Sequence, residues 1–328
     1  MTRLVFTCGD INGIGPEICV KTFNKIFNPR KRQIIFLCPK NVFLRTIQEK
    51  SIKFTYQIVS QNSLEIIDHK KVTVIDIGNY KQSHGKPTKE SGLASYNAII
   101  DAVKLTKSGF ADAIITAPIS KTAFKLAGKN FSGHTELLAR LSKSKKFMMI
   151  FLSKKMICGL ATIHVQLKKV SSLLSKKKLI ESANILLDTL QNDLGIKTPK
   201  IAMLGLNPHA GENGNIGSEE NKILIPVVKS FRRSKIEGPF VPDAFYGNHC
   251  YKNYDAILGM YHDQVLIPFK MLNFSKGVNF TAGLSLIRTS PDHGTAFDIA
   301  GKGTAQPDSM IESVHWAEKI FKNRKNLR

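Results

Sequence analysis

A chain of 328 residues with 42% hydrophobic content can bury a substantial core, as one large α/β unit or as two lobes. It has no apolar run of about 18 residues and no apolar leader with a cleavage site, so neither a membrane-spanning helix nor a secretory signal is expected. The formal charge is +23, but the 38 Lys and 10 Arg are spread along the whole length without a zinc-finger, RNA-binding or aromatic-interleaved basic motif. Nucleic acid is therefore not the expected partner, although a positive field helps to gather phosphorylated substrates. Five scattered cysteines (Cys8, Cys19, Cys38, Cys158, Cys250) form no CxxC pair, which suits reduced thiols in the cytoplasm.

Leu4–Thr7 is a short apolar strand. It runs into a loop with GxxxGxG spacing, which differs from the dinucleotide fingerprint GxGxxG, and Pro16 then suits the first turn of a helix over 18–27. That loop reads equally as an anion-binding turn and as a tight strand–helix connection. Strands are expected over 34–38 and 72–77 with a helix over 42–48 between them, then a polar loop, a helix over 91–107 and a strand over 113–115. Ser132-Gly133-His134-Thr135-Glu136 opens the next helical stretch, which places His134 and Thr135 at a helix start. Residues 148–152 and 157–165 read as a hairpin, 177–190 as a helix and 200–206 as a strand. A Gly/Asn-rich loop follows over 211–217, and Ser218 is placed to cap a helix running to about Arg232. Short strands are expected over 256–258 and 284–287, and a closing helix over 307–323. Strand alternating with helix argues for an α/β fold with a largely parallel sheet.

Chemically capable side chains crowd into the stretch that begins at Gly259: His262, Asp263, Lys270, Asn279, Arg288, Asp292, His293 and Asp298. Ligands of open α/β sheets bind at strand ends, and a cationic pair beside a histidine and carboxylates suits an anionic substrate with a metal or proton-transfer centre. His164, His209 and His262 each follow a predicted strand closely. Three imidazoles on one ion would make an open catalytic site. A histidine with no local ligand spacing is more often a core or surface residue, and Lys270 and Arg288 would more commonly be surface ion-pair partners. The residues alone leave these alternatives open.

The motifs TCGDINGIGPEI, ITAPISK, FSGHTELLA, LGLNPHAGENGNIGSEE, YHDQ with LIPFK, and GVNFTAGLSLIRTSPDHGTAFDIAG cover nearly the whole chain. Together they closely resemble the 4-hydroxythreonine-4-phosphate dehydrogenase family of pyridoxal phosphate biosynthesis. The family carries a small residue after YHDQ, where this chain has Val265.

The resemblance implies a two-lobed α/β/α fold similar to isocitrate and isopropylmalate dehydrogenases, with one lobe of residues 1–127 plus 280–328 and the other of 128–279. It implies an active site in the cleft between the lobes, shared between the subunits of a homodimer. It makes His164, His209 and His262 ligands of one divalent ion (zinc, magnesium or cobalt), with His262 expected from one chain and the other two from its partner. His134, Thr135, Lys270, Asn279 and Arg288 would contact the phosphorylated substrate. Asp263 and Asp243 would help to hold the site together, and Lys270 is a candidate base. The implied reaction is NAD- or NADP-dependent oxidation of 4-phosphooxy-L-threonine followed by loss of carbon dioxide. A paralogous activity on threonate or erythronate 4-phosphate is the alternative. No nicotinamide-binding residue is implied at any position.

Overall fold

The computed structural model describes residues 1–48, 51–61, 63–131, 133–231 and 235–327; Ser132 of the GHTE region and the expected helix end at Arg232 lie outside them. In chain order, the first elements are β1 (Thr2–Thr7), α1 (Gly15–Ile26), β2 (Arg32–Leu37), α2 (Lys40–Gln48), β3 (Tyr56–Ser60), β4 (Val72–Asp76), α3 (Lys89–Lys107), β5 (Ala113–Thr116), α4 (Lys121–Leu126) and α5 (His134–Leu141). Then come β6 (Met148–Leu152), β7 (Ile157–Leu160), α6 (Val170–Leu173), α7 (Lys176–Asp188), β8 (Ile201–Leu204), α8 (Ile225–Ser230), β9 (Ile236–Phe240) and α9 (Pro242–Gly247). The chain closes with β10 (Ala256–Gly259), α10 (His262–Asn273), β11 (Val278–Ala282), β12 (Arg288–Pro291) and α11 (Asp308–Asn326). Among the described residues, no helix is long and apolar enough to cross a membrane.

The chain divides into two compact units, Met1–Lys145 with Leu284–Phe321, and Lys146–Gly283 with Lys322–Arg328. The changes of unit fall at 145/146 and 283/284, whereas the family resemblance implied 127/128 and 279/280. Two packing relations account for the difference. α5 packs on α3 and so stays with the first unit. β11 pairs antiparallel with β6, so residues 280–282 stay with the second.

In the first unit the strand order is β3-β4-β2-β1-β5-β12, and all of these pairings are parallel. The strands read as continuous apolar runs because both faces of a parallel sheet are covered. Phe6, Phe23 and Phe36 meet edge to face at 4.9 and 5.3 Å under α1. The loop between β1 and α1 is a tight connection. A Cβ at Gly15 would stand 2.2 Å from the Cys8 carbonyl oxygen, so only glycine fits where the helix starts against the strand end. The Asn12 amide donates to the Lys86 carbonyl and the Thr88 hydroxyl, and its oxygen accepts from the Ser83 N–H. The buried Asp10 carboxylate accepts from the Asn12 N–H and the Ser91 hydroxyl. These polar groups are engaged within the unit, which favours the connection over the anion site.

Burial raises the Asp10 pKa to about 6, against the smaller opposing effect of its two hydrogen bonds. A carboxyl whose folded pKa lies above its unfolded value stabilises the fold while protonated. That contribution is complete below about pH 4 and is lost as pH rises through about 6. Asp10→Asn should therefore match the wild type in acid and exceed it by roughly 2–3 kcal/mol near neutrality. Urea unfolding at both pH values measures the gap; a pH-independent gap would exclude Asp10 as the titrating group.

In the second unit the order is β11-β6-β7-β10-β8-β9. β11, β6 and β7 are antiparallel neighbours, which includes the expected hairpin, while β7, β10, β8 and β9 run parallel. One core joins Phe151, Cys158, Leu204, Phe245, Ile257, Val265 and Phe269.

The strand expected over 284–287 is a connection between β11 and β12. Gly283 adopts φ +80, and a Cβ there would meet the Lys146 carbonyl oxygen at 2.5 Å, so the chain turns at this point. Leu284, Leu286 and Ile287 are buried all the same, and burial gave the segment its strand-like composition.

Candidate active site

In the second unit the three histidines leave the carboxyl ends of three adjacent parallel strands, β7, β10 and β8. Neighbouring strands in register deliver their following residues to the same edge of the sheet. Side chains and backbone tie these turns together. The Ala161 N–H donates to the Gly259 carbonyl, and the Thr162 hydroxyl donates to the Met260 carbonyl, which links the β7 end to the β10 end. Gln264 accepts from the Met260 N–H at 2.7 Å and donates to the Gly205 carbonyl at 2.6 Å, which links the β10 end to the β8 end.

The His164 and His262 rings stand 5.9 Å apart between centroids. Two imidazoles on one ion, each bound at about 2.1 Å, have centroids roughly 5–6 Å apart, so this pair fits a shared ion. The pair forms within one chain, so the geometry does not require His262 and His164 to come from different subunits. His262 Nδ1 lies 2.6 Å from Asp263 Oδ1, the contact by which a carboxylate fixes the tautomer and leaves Nε2 for a metal. His164 and His209 both hold left-handed backbone, at φ 48 and 51, a conformation that non-glycine residues adopt at a cost. Among the described residues, no three His, Cys, Asp or Glu side chains converge on one point, so His209 does not complete the set with the pair. An all-imidazole donor set suits zinc or cobalt; magnesium prefers oxygen.

Asp243 is exposed in the first turn of α9, and Lys270 lies on α10 two turns beyond His262. Asn279 sits on β11, where its Oδ1 is buried with no hydrogen-bond partner, as is the Tyr246 hydroxyl. A buried polar atom left in this way has its bonding completed by a water, an ion or a ligand. Val265, which stands where the family has a small residue, is fully buried over Gly259, and a Cβ added at Gly259 would stand 1.9 Å from its Cγ2. Gly259→Ala should therefore destabilise the unit by about 1–3 kcal/mol, and adding Val265→Ala should recover part of the loss. Additive losses in denaturant titrations would refute this packing relation.

In the first unit Arg288 begins β12 and is only 2% exposed. Its Nε and Nη2 both donate to Thr116 Oγ1, at 2.9 and 2.7 Å. Burial depresses its pKa to about 9, opposed by the Glu136 carboxylate, so it remains a cation at neutral pH. His134 opens α5. Burial, and secondly the Arg288 charge, push its pKa well down and keep the ring neutral. His134 Nε2 is buried without a partner. A fixed guanidinium beside a neutral imidazole is a suitable seat for an oxyanion. Thr135 is buried one residue further on.

Thr116, Thr162 and Gln264 had no role assigned from the sequence. Each bridges segments distant in the chain, and such bridges leave no local spacing to read.

Parallel strand ends carrying metal-ligand types, with a buried cation–imidazole pair for an anion, define an α/β enzyme. The family model described as "Pyridoxal phosphate biosynthetic protein PdxA" matches residues 30–317. The 4-hydroxythreonine-4-phosphate dehydrogenase of Sulfurihydrogenibium sp. is 40% identical over 99% of this chain and 100% of its own length. The protein of the same name from Desulforapulum autotrophicum is also 40% identical, over 95% and 93%. The crystal structure of the Klebsiella pneumoniae 4-hydroxythreonine-4-phosphate dehydrogenase superposes with a TM-score of 0.84 at 33% identity, covering 98% of both chains. The chain belongs to this PdxA family and is an oxidoreductase.

Proposed function

We propose that the protein oxidises 4-phosphooxy-L-threonine at its C3 hydroxyl, with NAD or NADP as hydride acceptor, in pyridoxal 5'-phosphate biosynthesis. The product, 2-amino-3-oxo-4-phosphooxybutanoate, is a β-keto acid and loses carbon dioxide to give 3-amino-2-oxopropyl phosphate. The observation that carries this reading is end-to-end similarity to curated dehydrogenases of that name. The sugar-acid phosphate alternative has no comparable support.

His164 and His262 would hold one divalent ion, with His209 as the third ligand once it closes on the pair, and zinc or cobalt best suited to the donors. When bound, that ion supplies polarisation of the C3 oxygen. Asp263 holds the His262 ring through Nδ1. Arg288, held by Thr116, binds an anionic group of the substrate. His134 and Thr135 supply neutral polar groups beside it, and Lys270 and Asn279 are further substrate contacts. Lys270 is the candidate base for the C3 hydroxyl proton, and Asp243 supports the site. The enzyme works in the cytoplasm as a homodimer that shares its active site between subunits.

The test is turnover of 4-phosphooxy-L-threonine against the 4-phosphates of threonate and erythronate, followed by NADH formation with zinc or cobalt present. Turnover of the amino acid phosphate is expected. Turnover of a sugar-acid phosphate alone would overturn the proposal.

A further inference from the structure

We propose that the outward face of α10 is where a second copy of this chain docks; the inference rests on the reading of the protein as a homodimer and names the surface that reading needs. α10 turns Val265, Leu266 and Phe269 inward, where they join the core of the second unit. Its opposite side is apolar as well. Ile267, Met271 and Phe274, the residue that ends the helix, are 59%, 81% and 85% exposed. Among the described residues, no large apolar side chain is more exposed than Met271 and Phe274. The spacing of four and three residues sets the three in one row along the helix. A helix that is apolar all round is stable when both sides are covered, and a single chain covers only one side of α10.

The row suits its own copy. An antiparallel arrangement about a two-fold axis lays it on itself, with Met271 against Met271 and Ile267 against Phe274. Bare side chains of this size amount to roughly 400 Å² per copy, a fitting centre for an interface that covers about 800 Å² on each partner. The polar ends match too. α10 opens with the exposed Asp263 carboxylate, and the exposed Lys276 follows Phe274. The antiparallel arrangement directs each Asp263 toward the Lys276 end of the other helix and opposes the two helix dipoles. An anionic lipid surface is the rival occupant, because the chain is basic. Yet α10 carries a single Lys together with an Asp, not the Lys/Arg-rich polar face of a membrane-surface helix. His262, Asp263 and Lys270 lie on the same helix, so the contact stands beside the candidate site.

The experiment measures the mass of the full-length protein by sedimentation equilibrium from nanomolar to micromolar concentration. The wild type should be a dimer. Met271→Glu should weaken association by about 100-fold or more, since the two-fold axis sets two carboxylates against each other in an apolar contact. These side chains are exposed in the single chain, so the substitution leaves the fold intact, which circular dichroism checks. A second measurement does not depend on that variant. In a Cys250→Ser background, which removes the one cysteine that is not buried, Met271→Cys should form a covalent dimer with a short bismaleimide. Leu126→Cys, exposed on the first unit, should not. Undiminished association of Met271→Glu, or no cross-link through Met271→Cys, would overturn the inference and leave the homodimer standing. A monomeric wild type would overturn the homodimer reading and the inference with it. A wild type that binds phosphatidylglycerol vesicles as a monomer would give the row to a membrane instead.

Discussion

Replacing His262 with Ala should strip the bound ion and lower turnover by about 10³-fold or more, with the fold intact. The ring sits at the start of α10, and its described hydrogen bond is to the exposed Asp263 carboxylate, so the truncation removes little packing. On the proposed reading, what it removes is a metal ligand. Three protein donors give an open site its affinity, and a two-donor remnant does not compete with water at ordinary metal concentrations. His164→Ala should behave alike, because the two rings stand together. Asp263→Asn should be milder, roughly 10–100-fold in ion affinity, since it loosens a ligand without deleting it. Metal analysis and kinetics on the same preparations measure both effects. Full metal content in His262→Ala would remove the ring from the site.

The second large effect is expected at Arg288. Arg288→Lys keeps the charge but cannot give Thr116 two parallel N–H bonds, so the cation loses its fixed direction. KM for the phosphorylated substrate should rise by about 10–100-fold with a smaller change in kcat, as for a group that binds substrate and transition state alike. Thr116→Val should move KM the same way but less, because the guanidinium stays and only its anchor is lost. Unaltered kinetics in Arg288→Lys would make the residue a structural cation.

Eight strands were legible as apolar runs: β1, β2, β4, β5, β6, β7, β8 and β10. Those missed had physical reasons to hide. Only Val59 of β3 and Ile236 of β9 are buried, so neither strand shows an apolar face. β12 is fully buried yet reads Arg-Thr-Ser-Pro, so it shows no apolar run to read. The types of residue in the site were legible through long family motifs. Their fastening by Thr116 and Gln264 was not, because it depends on which strand ends the sheet makes neighbours.

The way the two units divide the chain also sets a timetable. The body of the second unit, residues 146–283, is one continuous segment, while the first must wait for residues 284–321. β12 is the last strand of the chain, and it pairs with β5, made more than half a chain earlier. During synthesis the N-terminal segment therefore emerges first but cannot close its sheet, and the later unit has all of its strands before the earlier one does. Until β12 arrives, the open edge of β5 is exposed to wrong partners, so the nascent chain is most vulnerable to aggregation in that interval.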